Sequence, residues 1–88
     1  SVGDQRFMVR MGVFYDSDLL KRAIGRFRRL GVPVNGIWGP CFFPNGKYYI
    51  LFLEDLYPSR QEALDAMTET KAKLSPAGIK LDILIEKI

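Results

Sequence analysis

The side chains able to do chemistry are few in this chain. It has no His and one cysteine, Cys41. Imidazole is the usual group for proton transfer near neutral pH, for activating a nucleophile and for binding zinc. A lone cysteine excludes an intrachain disulfide, a Cys cluster and a Cys-His pair. The carboxylates Asp16, Asp18, Glu54 and Asp55 fit no ligand-loop spacing, and neither a Walker-type phosphate loop nor a Gly-x-Gly-x-x-Gly run is present. The expectation is a non-catalytic binding module with no metal and no cofactor. What remains for recognition is apolar and aromatic surface with a cation beside it: Met8, Arg10, Trp38, Tyr49 and Leu51. Such a surface suits a planar or ring-shaped ligand, a base or the C–H face of a sugar.

Positioning those residues requires a folded scaffold, and the composition supplies one. Of 88 residues, 48% are hydrophobic and 26% charged, too apolar for a disordered tail and enough for one small core. The longest apolar run, Tyr48 to Leu53, falls far short of the roughly 20 residues of a membrane helix. Thirteen Lys and Arg against ten Asp and Glu give a net charge of +3, which permits an anionic partner without demanding one. A chain starting at Ser1 without an initiator Met is expected to be an excised or processed fragment, with any membrane attachment lying outside it.

Residues 1–6 read as a flexible lead-in and 7–88 as a single domain. Period-two alternation over Phe7–Phe14 predicts a half-buried strand, with Phe7, Val9, Met11 and Val13 on one side and Met8, Arg10, Gly12 and Phe14 on the other. Asp16 or Ser17 offers a cap to a helix over 19–30, whose stripe is Leu20, Ala23, Ile24, Phe27 and Leu30. Arg and Lys line the rest of that helix as a solvated face, Gly31 is a left-handed stop, and Pro33 forbids continuation. Residues 32–38 predict a second strand, placed at a sheet edge by Pro33. The stretch 35–46 holds three of eight glycines and two of five prolines, which reads as a long hairpin arm. Asn45-Gly46 just before the next strand signals a tight turn, because both residues tolerate positive φ.

Residues 47–53 form the strongest strand signal, with Tyr48, Ile50 and Phe52 on one side and Tyr49, Leu51 and Leu53 on the other. Ser59 and Glu62 make a capping box for a second helix to about residue 74, its inner stripe being Ala63, Met67, Thr70 and Leu74. The alternation over 80–88 predicts a last strand, with Leu81, Ile83 and Ile85 opposite Asp82, Leu84 and Glu86.

This order predicts an α+β domain of the ferredoxin-like or RNP-like βαββαβ class, a four-stranded antiparallel sheet with two helices on one face. The other face is where function is expected. With Phe7, Val9, Met11, Ile50, Phe52, Leu81 and Ile83 turned to the helices, the open side presents Met8, Arg10, Tyr49, Leu51, Asp82 and Leu84. The alternative is that the arm covers this face and nothing binds there, Phe42 and Phe43 folding over the core edge. Cys41 is expected to be a small buried apolar residue.

The pattern resembles the SPOR (sporulation-related repeat) domain, a bacterial module that binds septal peptidoglycan. Val9-Arg10-Met11-Gly12-Val13-Phe14 stands where that family has a Val-Gln-x-Gly-x-Phe strand, with Arg10 in place of Gln. The Leu- and Arg-rich helix before Gly31 and Val32-Pro33-Val34 is similar too. So are Gly46-Lys47-Tyr48-Tyr49-Ile50 and Tyr57-Pro58-Ser59-Arg60-Gln61-Glu62-Ala63. The resemblance implies binding of peptidoglycan glycan strands stripped of stem peptides, across the open sheet face, in the periplasm or cell envelope. It further implies cell-envelope or division proteins as partners. Tyr49 would pack on a sugar ring, Arg10 would meet a lactyl carboxylate or an acetamido group, and Trp38 would close one side of the groove.

Two rivals use the same fold. A protein-interaction or assembly domain would use the 38–43 arm, whose Trp and Phe residues are suitable anchors. An RNA-recognition domain would stack bases on Lys47-Tyr48-Tyr49-Ile50-Leu51-Phe52, with Arg10, Lys47 and Lys80 for phosphate. Against the latter, the cations cluster on the first helix, behind the sheet.

Overall fold

The computed structural model describes residues 6–88. The lead-in lies outside the described residues except for Arg6, which is exposed and whose carbonyl accepts from the Ile88 N–H at 2.9 Å. The elements follow the expected order: β1 (Phe7–Phe14), α1 (Ser17–Arg29), β2 (Val34–Trp38), β3 (Tyr49–Leu53), α2 (Arg60–Leu74) and β4 (Leu84–Lys87). All ladders are antiparallel and the sheet order is β2-β3-β1-β4, the ferredoxin-like arrangement. β2 is an edge strand, as Pro33 foretells. β4 is shorter than the alternation suggests, because 81–83 carry no ladder before Leu84.

Local chemistry accounts for the helices. Asp16 caps α1, its carboxylate accepting from the N–H groups of Asp18 at 2.7 Å and Leu19 at 3.4 Å. At the other end Gly31 takes φ 80°, and Val32 N–H reaches back to Phe27 O at 2.9 Å, closing the helix with a left-handed residue that glycine adopts without a Cβ penalty. Ser59 Oγ accepts from Glu62 N–H at 3.2 Å at the start of α2. The return half of the expected box differs: the Glu62 carboxylate takes the Ser59 hydroxyl at 2.8 Å.

The helix-side core joins Phe7, Val9, Met11, Leu51 and Leu53 of the sheet to Leu20 and Phe27 of α1 and to Ala63 and Leu74 of α2. The α2 stripe is as expected, with Thr70 also buried. Burying these side chains, at about 25 cal/mol per Å² of apolar surface, is the main force holding helices to sheet.

Tyr57 joins this framework through a two-way bridge with Phe7, each N–H donating to the other's carbonyl at 2.8 Å. Burial raises the Tyr57 hydroxyl above its ordinary value near 10, and the Asp55 and Glu69 carboxylates push in the same direction. The unfolded chain therefore loses this proton first as pH rises. Stability falls from about pH 10 up to the raised folded value and is unaffected below. Tyr57→Phe is expected to flatten that alkaline decline in denaturant-unfolding midpoints between pH 9 and 11; an unchanged decline would contradict the assignment.

Candidate outer-face site

Phe7, Val9, Met11, Leu81 and Ile83 face the helices as expected, but the side of β3 that does so differs from the sequence-based expectation. The two sides of β3 sort as read, but Tyr49, Leu51 and Leu53 belong to the helix-side core, and Tyr48, Ile50 and Phe52 to the outer face. Both sides of this strand are apolar, so hydrophobicity alone does not fix its phase; the pairing with β1 does. Arg10 pairs with Phe52 and Gly12 with Leu51, so two residues of β1 advance against one of β3. This bulge resets the alternation. Before it, Met8 and Arg10 face outward. After it, Phe14 packs into the helix-side core and Val13, paired with Ile50, turns outward.

Of the residues proposed for the site, Met8 and Arg10 are thus on the outer face, whereas Leu51 is 1% exposed beneath the helices. Tyr49 pairs with Trp38 on that same helix side, ring centroids 4.8 Å apart. Trp38 therefore closes no groove on the outer face, and the five residues form no single site. Leu84 pairs with Arg10 and is outward, as expected.

The arm covers part of this face. After Trp38 a 3-10 turn, Gly39–Cys41, redirects the chain so that Phe42 and Phe43 pack on Met8, Ile50 and Phe52. Met8 and Ile50 are fully buried by this second small core. The turn at 43–46 is closed by Gly46 N–H to Phe43 O at 2.9 Å, and neither Asn45 nor Gly46 takes a positive φ. The expected mirror-image turn is absent because the arm curls over the sheet instead of prolonging the β2–β3 ladder. With both phenylalanines turned inward, Cys41 is left exposed, contrary to expectation.

The curl depends on Gly39, which is buried with its N–H bonded to Tyr48 O at 2.6 Å. A Cβ here would lie 2.6 Å from that same carbonyl oxygen and closer still to Gly46 O.

The arm covers Met8 but leaves open Arg10 and Val13 of β1 and the outward side of β4, a strip about 10 Å across at about 5 Å per strand. On it Arg10 meets Glu86 diagonally across the ladder, guanidinium to carboxylate 2.7 Å, with both side chains about a quarter exposed. Leu84 and Val13 flank the pair, 47% and 39% exposed. The arm-side wall is Tyr48, met by the exposed Tyr15 ring edge-on at 6.2 Å. This strip combines apolar footing, an aromatic edge, a donor fork and an acceptor, with the two charges cancelling.

The Arg10–Glu86 pair was not anticipated. Outward placement of Glu86 follows from the alternation of the last strand, but its meeting with Arg10 needs the β1–β4 register. The described residues contain no group of three His, Cys, Asp or Glu that could hold a metal ion. No helix among them is long and apolar enough to cross a membrane.

Comparison with family models, with curated proteins and with solved structures finds no match to this chain.

Proposed function

We propose that the domain is a non-catalytic binding module that holds a glycan strand, through its hydroxyl and acetamido groups, on the strip of β1 and β4 that the arm leaves open. The resemblance to SPOR domains makes denuded peptidoglycan the first candidate. The supporting observation is the Arg10–Glu86 pair beside Leu84 and Val13. A net-neutral donor–acceptor pair hydrogen-bonds hydroxyl and acetamido groups well, while Leu84, Val13 and the Tyr48 edge take the apolar faces of sugar rings. The same pairing makes a lactyl carboxylate a poor partner for Arg10, since Glu86 already occupies the guanidinium.

Nucleic acid fits this surface less well. Tyr49 lies on the helix side and Phe52 is 8% exposed beneath the arm, which leaves no stacking platform on the central strands. The assembly reading keeps one favourable observation: Trp38 is 43% exposed beside Tyr49.

Purified sacculi, with and without amidase treatment, test the proposal by co-sedimentation. The domain should be retained and enriched on amidase-treated material. Arg10→Ala and Leu84→Glu should each lower affinity about fivefold, equivalent to about 1 kcal/mol per lost contact. Retention no better than an unrelated protein would remove the glycan reading. Steeply salt-dependent capture of single-stranded RNA would replace it with the nucleic-acid one.

A further inference from the structure

The two helices leave a gap between them on the opposite side of the sheet. α1 packs chiefly over β2 and β3, and α2 over β1 and β4. Between α1 and residues 79–81 lies a cavity of about 380 Å³. Met11, Phe14 and Leu51 form its sheet side, and Phe27, Ile79 and Leu81 its walls. Its only polar lining side chains are Arg22 and Arg26. These two cations stand one turn apart on the same face of α1, a spacing at which like charges repel. Neither has a carboxylate partner among the described residues, where the ion pairs are Arg10–Glu86 and Lys73–Glu69. Both are exposed, in keeping with the solvated basic face read from the sequence, and both also stand at the mouth of an apolar hollow.

We propose that this cavity binds a small anionic amphiphile, its apolar body on Met11, Phe14, Leu51 and Leu81 and its carboxylate between Arg22 and Arg26. The volume lies within the range of small-ligand pockets. At about 30 Å³ per water-sized atom it holds about a dozen non-hydrogen atoms, the size of a medium-chain carboxylate or a substituted aromatic acid. An uncharged molecule of equal size would fill the hollow but leave the two guanidinium groups unpaired. An inorganic anion would satisfy the guanidinium groups and leave the apolar walls wet. Residues 79–81 carry no ladder hydrogen bonds and can shift to admit the ligand without breaking the sheet.

The test is an NMR titration of the isotope-labelled domain with decanoate below its micellar concentration, with decanol as the uncharged comparison. Decanoate should give saturable shifts at the amides of Gly12, Ala23, Ile79 and Leu81, and decanol should bind at least about tenfold more weakly. The Arg22→Gln/Arg26→Gln double variant should lose about tenfold in decanoate affinity while its decanol affinity stays the same. Should the double variant unfold, the decanoate–decanol contrast in the unaltered protein decides alone. Equal affinity for the two ligands, no saturable shifts, or shifts confined to Arg10, Val13 and Leu84 would overturn the proposal. Because the readout lies on the helix side, its failure leaves the outer-face glycan reading untouched, and the reverse also holds.

Discussion

Gly39→Ala is expected to lift the arm off the sheet. The added Cβ would sit 2.6 Å from Tyr48 O and nearer still to Gly46 O, and both are backbone atoms, so no rotamer change relieves the clash. Overpacking of a tight site costs about 1–3 kcal/mol, and immovable neighbours place this substitution at the upper end. The Gly39–Tyr48 hydrogen bond would be lost with it. For a domain of this size each kcal/mol shifts the melting temperature by about 4–8 °C, so a drop on the order of 15 °C is expected. Cys41→Ala, on the exposed side of the same turn, should leave the melting temperature almost unchanged. Equal melting temperatures for Gly39→Ala and the unaltered protein would show that the arm is not held as described.

Ile50→Ala is expected to be the most damaging single truncation on the outer side of the sheet. Ile50 is fully buried although no helix covers it, because Phe42 and Phe43 close over it. Removing a large aliphatic side chain from such a site costs about 2–5 kcal/mol, the lost transfer energy plus the cavity left behind. The whole domain is expected to have about 4–13 kcal/mol of stability, at about 0.05–0.15 kcal/mol per residue, so the expected loss is a large share of it. Leu84→Ala, outward on the same face but 47% exposed, should cost far less. Urea unfolding of the two variants measures the contrast. Similar midpoints would mean that the arm does not cover Ile50.

Much of the architecture was legible because its causes are local. The alternation of Phe7–Phe14, the Asp16 cap, the Gly31 stop and the Ser59–Glu62 pair act within a few residues, and each ends or begins an element where expected. The two sides of β3 were also separable. Their assignment to inner and outer faces was not, since Ile50 and Leu51 are equally apolar and the deciding fact is a register two strands long, interrupted by the bulge between Arg10 and Gly12. Reading the phase the other way puts Tyr49 and Leu51 on the outer face and Ile50 and Phe52 under the helices, the reverse of what the structure has. A turn does form at 43–46, but its type and the exposure of Cys41 were not legible for a related reason: the arm's path is set by long-range packing of Phe42 and Phe43 on Met8, with Gly39 admitting the close approach. The Arg10–Glu86 pair joins residues 76 positions apart, beyond the reach of any local pattern.

The central claim is that the strip left bare by the arm is the recognition surface. The most direct measurement is an NMR titration of the labelled domain with soluble, peptide-free glycan chains. The expected result is saturable shifts at the amides of Arg10, Val13, Leu84 and Glu86, extending to Tyr48, with Trp38 and α1 unmoved. Shifts confined to Trp38 and Tyr49, or none at glycan concentrations that saturate a known glycan-binding control, would contradict it.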